Sequence, residues 1–194
     1  MKKIIVVLLL LGMLASMTGC SLAVELLANA GLDFLNQNAP DYDRPDREFR
    51  VAEISFVLTD AFSEVANVED EYASYISYTM TALVLERFEH SGVSKPTATE
   101  FAETYRESIA SDPDGAGISD YSAEEIVTDG DVAYFVISYT SLGKTTSEFI
   151  SIYVNDYATY VFVFAAFDTN LETYRPYLIK WATSVKTVDN SSEI

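Results

Sequence analysis

The sequence predicts an α+β domain in which helices flank one central antiparallel sheet, as in an α/β/α sandwich. Three patterns support this fold class. Apolar residues recur at helical spacing in residues 97–109 and 176–184. The pair Asp129-Gly130, a strong signal for a two-residue hairpin turn, joins two strand-like runs. Residues 159–167 carry apolar side chains at both alternating sets of positions, so both faces of that strand are expected to be covered.

The first 19 residues have the three parts of an export signal. Two lysines form a positive start, and residues 4–11 form an apolar run that is too short to span a bilayer. The motif Met17-Thr18-Gly19-Cys20 then resembles the cleavage site of bacterial lipoproteins, with Met17 in place of the more usual leucine. We expect cleavage before Cys20 and lipid on Cys20. The alternative is an ordinary signal peptide followed by an incidental cysteine.

Cys20 is the only cysteine, so the exported chain can form no internal disulfide. The resemblance implies at least two acyl chains on this residue, and two chains hold a protein stably on a membrane. We therefore expect a protein attached to the cell membrane through Cys20, on the extracytoplasmic side. Loss of residues 1–19 would take the formal charge from −18 to −20. That charge repels phosphate backbones and makes nucleic acid an unsuitable partner.

The mature chain divides by composition into an anchor region, one folded domain and a tail. Residues 20–48 hold the lipidated cysteine, a short helix over 21–35 and a tether over 36–48 that contains two prolines and alternating charges. Residues 49–187 are predicted to form one domain, because about 140 residues bury enough surface for a stable core. Residues 188–194 are expected to be a disordered tail.

The first part of the domain is predicted to consist of strands. Residues 49–58 are strand-like, and Thr59-Asp60 is interpreted as a turn into a further apolar segment at 62–65. Residues 75–88 form a long run of β-favouring residues, which is interpreted as a strand. The run is preceded by an acidic loop at 69–71.

A helix is predicted after these strands. Thr97 can cap it, and Glu100, three residues later, completes a capping box. Its apolar stripe is formed by Phe101, Tyr105 and Ile109. The composition of the next residues, Asp112-Pro113-Asp114-Gly115, predicts a loop.

The second half of the domain predicts an antiparallel meander and a closing helix. Its four strands are expected at 123–128, 132–140, 145–154 and 159–167. The closing helix is expected over 176–184, because proline suits the first turn of a helix. Its buried stripe is predicted to contain Tyr177, Trp181 and Val185.

Three segments carry a resemblance to a known family: ISFVLTDAFSEV at 54–65, TATEFAETYRESIA at 97–110 and DTNLETYRPYLIKWATSVK at 168–186. Most of residues 50–187 resemble the PsbP-like lipoproteins of Gram-positive bacteria. That group shares an α/β/α sandwich with the photosystem II protein PsbP and with DcrB-type lipoproteins. The resemblance implies this fold and an accessory role beside a larger complex. It supplies no site residues, because element order and pattern carry it and no catalytic motif does.

His90 is the only histidine, and it lies in the turn-like segment Glu89-His90-Ser91-Gly92. A Ser-His-Asp triad would need this residue, yet the chain has no GxSxG motif to supply a nucleophile. One histidine and one lipidated cysteine also cannot provide three nitrogen or sulfur ligands for zinc. We therefore expect His90 to be an exposed turn residue.

The acidic segment 112–125 partly matches the twelve-residue calcium loop. The matches fall at positions one, three, six and nine, namely Asp112, Asp114, Gly117 and Asp120. Ala116 and Ala123 fail at positions five and twelve, where oxygen ligands are needed. We therefore expect no specific calcium site, only a diffuse attraction of cations that salt screens.

The thirteen tyrosines leave two alternatives. They belong to the framework, since tyrosine suits half-buried strands, or some of them line an aromatic groove, for which the candidates are Tyr72, Tyr75, Tyr78, Tyr139 and Tyr153. With thirty acidic residues, any single carboxylate pair is uninformative as a sign of glycoside hydrolysis. We expect a non-enzymatic accessory or interaction module with a protein partner at the cell envelope and no cofactor. The alternative is a binding protein for a small ligand, peptide or glycan.

Overall fold

The computed structural model describes residues 44–68, 71–77, 81–90, 94–111, 118–141, 144–166 and 171–188. These residues form strands and two helices, in agreement with the predicted α+β class. In chain order the elements are β1 (Asp46–Val51), β2 (Ile54–Thr59), β3 (Phe62–Val68), β4 (Tyr72–Ser77), β5 (Thr81–Glu89), α1 (Ala98–Ser111), β6 (Ser119–Ala123), β7 (Val127–Asp129), β8 (Val132–Ser141), β9 (Lys144–Val154), β10 (Ala158–Ala166), α2 (Leu171–Thr183) and β11 (Lys186–Thr187).

The strands form two antiparallel sheets. The large sheet has the order β3-β4-β5-β10-β9-β8-β6, and β7 also pairs with β8. The small sheet has the order β1-β2-β11. The predicted antiparallel meander is confirmed, because β7, β8, β9 and β10 pair in sequence. Its first strand, predicted over 123–128, is instead divided into β6, which ends at Ala123, and β7, which begins at Val127. Strand β10 lies at the centre of the large sheet, between β5 and β9.

The two faces of the large sheet contain different side chains. Along β10, Tyr160, Phe162 and Phe164 belong to one buried cluster, whereas Val161 and Val163 belong to another. Successive side chains of a strand point to opposite faces, so the two clusters lie on opposite sides of the sheet. We call the first side the aromatic face and the second the aliphatic face. The expectation that this strand is buried on both faces is therefore confirmed.

The small sheet and α2 together pack on the aromatic face. Phe56 of β2 meets Phe162 edge to face, with the ring centroids 5.4 Å apart. Trp181 of α2 contacts Phe62 in the same way at 5.3 Å and lies 6.1 Å from Phe164. Only 2% of Trp181 is exposed, so its predicted burial is confirmed. Edge-to-face pairs of this kind stabilise a core beyond the area that they bury.

Helix α1 packs on the aliphatic face, against β8 and β9. Its capping box is confirmed: the Glu100 carboxylate accepts a hydrogen bond from the Thr97 amide at 2.8 Å, and the Thr97 hydroxyl accepts one from the Glu100 amide at 3.2 Å. Tyr105 and Ile109 of the predicted stripe are buried, and Phe101 is half-buried against the same cluster. Ala98 and Ala102 complete the buried side of the helix.

The first predicted strand is interrupted. A turn at Ala52 and Glu53 divides residues 49–58 into β1 and β2, which then pair with each other. Ala52 has a φ angle of 48°, a left-handed conformation that alanine rarely adopts. The turn contains no glycine, asparagine or proline, so the strand-like pattern of the sequence shows no break at this position. Strand β1 also begins at Asp46, so the predicted tether over 36–48 overlaps the folded part.

Two other predicted boundaries differ from the structure. The run 75–88 is divided between β4, which ends at Ser77, and β5, which begins at Thr81. Helix α2 begins at Leu171, five residues before the predicted start, and contains Pro176 in its interior. Because Pro176 is the sixth residue of the helix, it does not occupy the first turn as predicted, and its missing N–H leaves the carbonyl of Glu172 without its usual helical partner. Tyr177 is half-buried, and Val185 follows the helix end.

Candidate functional site

Several turns meet at one end of the large sheet, which we call the hairpin end. It contains the β1–β2 turn, the end of β5 at His90, residues 94–97, the β7–β8 turn at Gly130 and the β9–β10 turn at 155–157. The Val154 amide donates to the Asp131 carbonyl at 3.3 Å, and the His90 amide donates to the Tyr157 carbonyl at 3.1 Å. These bonds join neighbouring turns into one surface.

Asn155 fixes the β9–β10 turn. Its side-chain oxygen accepts hydrogen bonds at 2.9 Å from the amides of Tyr157 and Ala158, and its side-chain amide donates to the Thr187 hydroxyl at 3.2 Å. An asparagine that bonds to the backbone two and three residues later stabilises a turn directly. Tyr157, with 58% exposure, is consequently presented on a fixed turn.

An ion-pair network connects the two sheets at the hairpin end. Arg87 of β5 donates to Glu53 at 3.0 Å and to Glu89 at 2.8 Å, and its Nε donates to the Tyr160 hydroxyl at 3.3 Å. Burial acts to lower the pKa of Arg87, but the hydrogen bonds with Glu89 and Glu53 outweigh it and raise that pKa. The arginine therefore stays charged and holds the β1–β2 turn against the large sheet.

His90 is half-buried, so the expectation of an exposed turn histidine is wrong. Its Nε2 lies 2.9 Å from the Thr159 hydroxyl on the neighbouring strand. Burial, with the positive charge of Lys95, lowers the pKa of His90 below its usual value. The antiparallel pairing of β5 and β10 places Thr159 beside it, and this pairing between distant segments has no local sequence signal.

A cleft of about 430 Å³ opens between the start of α1 and the β7–β8 hairpin. Residues that line it include Lys95, Thr99, Thr128, Gly130, Asp131 and Val154. The Lys95 ammonium pairs with Asp156 at 2.8 Å, and the hydroxyls of Thr99 and Thr128 lie 2.9 Å apart. Of these residues, only the turn glycine was predicted from the sequence.

The structure separates the tyrosines that were proposed to line a groove. Tyr75 and Tyr153 are buried in the cluster of the aromatic face, whereas Tyr72 and Tyr139 pack on the aliphatic face. Tyr78 lies outside the described residues. A single groove formed by the four described tyrosines is therefore wrong, and they belong to the framework.

The remaining predicted sites lie wholly or partly beyond the described ranges. Cys20 and residues 112–117 of the acidic segment are outside them. Asp120, which is described, is exposed and accepts a hydrogen bond from the Ser119 hydroxyl at 3.2 Å. Within the described ranges, no group of three or more potential ligands from histidine, cysteine, aspartate and glutamate could hold a metal ion. The helices of the same residues include none that is long and apolar enough to cross a membrane.

A buried carboxyl group on the aliphatic face was missed by the sequence analysis. Glu148 of β9 is only 6% exposed, and it accepts a hydrogen bond from the Tyr139 hydroxyl at 2.7 Å. Burial raises the pKa of Glu148, because a charged carboxylate loses its hydration there. The sequence offered one signal: this charge replaces an apolar residue in the alternation that continues through Ile150 and Ile152.

Comparisons with known proteins bear on the fold. No family model matches the chain, and no curated protein matches it significantly. The structure of CyanoP, the PsbP of Synechocystis sp. PCC 6803, is similar with a TM-score of 0.50 at 11% identity, over 78% of this chain and 96% of that one.

Two further solved structures are similar at lower scores. LpqN, a Mycobacterium tuberculosis protein involved in cell envelope biogenesis, has a TM-score of 0.44 at 10% identity, over 77% of this chain and 95% of LpqN. A Pseudomonas aeruginosa protein of unknown function has a TM-score of 0.37 at 11% identity, over 68% and 90% of the two chains. The similarity to CyanoP shows that the chain has a PsbP-like fold, as the resemblance implied.

Proposed function

We propose that the chain is an extracytoplasmic lipoprotein, anchored to the cell membrane by lipid on Cys20, whose domain is a non-enzymatic accessory or interaction module. The observation that carries the proposal is the segment Met17-Thr18-Gly19-Cys20 behind a short apolar run. The PsbP-like fold agrees with it, since the family that the sequence resembles has accessory roles where its roles are known. In this proposal the large sheet is the middle layer of a sandwich.

The use of polar groups at the hairpin end supports a non-catalytic role. Arg87 binds two carboxylates and a tyrosine hydroxyl, His90 faces a threonine hydroxyl, and Asn155 binds turn amides. These bonds hold the frame together. A catalytic acid and base would need to face a common space in which a reacting atom could lie.

Anchoring is tested by replacing Cys20 in the full-length protein. Cys20→Ala should accumulate as an unlipidated precursor that keeps residues 1–19, whereas the matched control Ser21→Ala should be cut and lipidated like the unaltered chain. Membrane fractionation, with mass spectrometry of the amino terminus, measures both properties. Recovery of Cys20→Ala in membranes in its mature, shortened form would contradict lipid anchoring.

The interaction role is tested with the lipidated protein purified from membranes under mild detergent. We expect at least one envelope protein to be recovered reproducibly with it and to be absent when an unrelated lipoprotein serves as bait. Recovery of no partner, together with saturable binding of one small molecule, would replace the interaction module with a ligand-binding protein.

A further inference from the structure

The chain enters the domain through the layer that covers the aromatic face, namely the small sheet and α2, which we call the tether layer. The Arg44 guanidinium bonds to the Asp60 carboxylate at 2.8 Å, just before β1 begins. Lys180 of α2 bonds to the Asp46 carboxylate, the first residue of β1, at 2.7 Å. These contacts fix the start of β1 within the layer. A chain anchored through Cys20 is therefore joined to its domain at the tether layer.

The tether layer carries little of the negative charge of the protein. Its residues, 44–60 and 171–188, contain six basic and five acidic side chains, which gives a formal charge of +1. The other residues that the structure describes contain four basic and fourteen acidic side chains, which gives a formal charge of −10. The domain is therefore electrically asymmetric, and the layer beside the tether is close to neutral.

The carboxylates of the tether layer are all in ion pairs. These pairs are Asp46 with Lys180, Glu48 with Lys186, Glu53 with Arg87, Asp60 with Arg44, and Glu172 with Arg175. Two exposed cations of β1, Arg47 and Arg50, are in no ion pair within the described ranges. Arg47 lies over the Phe49 ring at 5.0 Å, and Arg50 points away from the core, because its neighbours Phe49 and Val51 point into it. The surplus charge of this layer is thus positive and lies on the first strand after the tether.

The side of the molecule that α1 covers has the opposite surplus. Glu103 and Glu107 on α1 and Glu125 before β7 are exposed, and the described part of the chain gives none of them a basic partner. An anionic surface repels unpaired carboxylates and attracts unpaired guanidinium groups. It therefore repels the α1 side and accepts the tether layer.

A membrane to which the chain is anchored is such a surface when its lipids are anionic. Basic residues close to an anionic leaflet are attracted to it, and salt screens charges that lie more than about 8 Å away. The side that faces the lipid therefore decides the interaction. A chain as long as residues 21–43 can reach roughly 75 Å when fully extended, so the length of the tether alone does not choose a side.

We propose that the tether layer is the side of the domain that lies against anionic lipid headgroups, with Arg50 directed at them and α1 turned away from the membrane. The inference rests on the proposed anchoring through Cys20 and adds an orientation to it. In this orientation the α1 side is the one that an envelope partner can reach.

The test uses the lipidated protein in vesicles of equal amounts of phosphatidylcholine and phosphatidylglycerol, with a fluorophore on one introduced thiol. Thr173→Cys places the fluorophore on the exposed side of α2, and the matched variant Thr104→Cys places it on the exposed side of α1. Cys20 carries the lipid, so its sulfur does not react with the fluorophore. Quenching by nitroxide-labelled headgroups requires close approach and reports which label faces the bilayer.

We expect the label at 173 to be quenched about fivefold more than the label at 104, the population ratio that one basic residue near an anionic surface gives. Arg50→Glu should bring the two quenching values close to equality. Lys95→Glu is the matched control, because it makes the same charge change at an exposed position of the hairpin end, and it should not lower the ratio. Circular dichroism of each variant verifies the fold.

Four results would overturn the orientation. They are equal quenching of the two labels, stronger quenching at 104, an undiminished ratio on vesicles of phosphatidylcholine alone, and equal loss of the ratio in Arg50→Glu and Lys95→Glu. Failure of the protein to associate with vesicles would instead reject the lipid anchoring, and the orientation with it. Failure of the orientation is therefore distinguishable from failure of the proposed function.

Discussion

The two faces of the large sheet are built from different side chains although they share the same strands. Phe162 belongs to the aromatic face and Val163, the next residue, to the aliphatic face. The aromatic face meets a mixed layer of the small sheet and α2, whose surface is filled by large rings such as Phe56 and Trp181. The aliphatic face meets α1, where branched side chains fit between the strands and one helix. The residue type thus goes with the covering layer along β10, whereas β8 has Val132 and Val136 on the aromatic face and Phe135 on the aliphatic face.

Polar groups also differ between the faces. The ring hydroxyls of the aromatic face reach its rim, where Tyr160 meets Arg87 and Tyr153 meets Thr187. The aliphatic face instead encloses the carboxyl group of Glu148. A rim hydroxyl keeps its hydrogen bonds at little cost, whereas a buried carboxyl group stabilises the fold only in its neutral form.

The largest expected effect is loss of a ring from the aromatic face. Phe162→Ala should lower the free energy of unfolding by about 3–5 kcal/mol, because it removes a buried ring and leaves a cavity. Val163→Ala, on the adjacent position of β10, should lower it by about 2 kcal/mol. Urea unfolding of the two variants, each without the lipid, measures the comparison. An equal or larger loss for Val163→Ala would contradict the difference between the faces.

The rim of the aromatic face should show the next largest effect. Arg87→Met removes the guanidinium and leaves Glu53, whose side chain is 16% exposed, without that partner. We expect a loss of about 2–3 kcal/mol, part of which Glu53→Gln should restore in the double variant. Lys95→Met, which removes an exposed ion pair, serves as the control and should change stability little. Equal effects of the two single variants would show that the network does not join the sheets.

The sequence predicted those parts of the fold that depend on neighbouring residues. The Asp129-Gly130 turn and the capping box of Thr97 and Glu100 are local, and both are present. The small sheet depends on pairing between β2 and β11, which are more than a hundred residues apart in the chain. Local periodicity carries no information about such a pairing.

The candidate site was predicted less well for the same reason. The network of Arg87 and Glu53 exists because two sheets meet, and the cleft exists because a hairpin lies against the start of α1. The burial of His90 beside Thr159 likewise depends on the pairing of β5 with β10. Glu148 was visible in the sequence as a charged residue within an apolar strand, but its burial and its hydrogen bond with Tyr139 were not.

The buried carboxyl group should make stability depend on pH. Burial raises the pKa of Glu148 above its ordinary value of 4.5, so the folded state keeps a proton that the unfolded chain releases. Stability should therefore fall as pH rises from about 4.5 through the folded pKa. Glu148→Gln should remove this fall, and the exposed control Glu103→Gln should retain it. Urea unfolding between about pH 4 and 8 tests this, and a parallel fall in Glu148→Gln would contradict it.

The smallest expected effect concerns the helix that covers the aliphatic face. Thr97→Ala removes the hydroxyl that accepts from the Glu100 amide, so the free energy of unfolding should fall by about 1 kcal/mol. Glu100→Gln should cost less, because its amide oxygen can still accept from the Thr97 backbone. Thermal unfolding can rank the two variants. The reverse order would mean that charge near the helix start outweighs the hydroxyl cap.

The central structural claim is that the small sheet and α2 cover the aromatic face, and Trp181 tests it most directly. It is the only tryptophan in the chain and is 2% exposed between Phe62 and Phe164. Fluorescence of the folded full-length protein should show blue-shifted emission and weak quenching by acrylamide, and unfolding in urea should abolish both properties. Red-shifted emission with strong quenching in the folded protein would contradict the covered aromatic face.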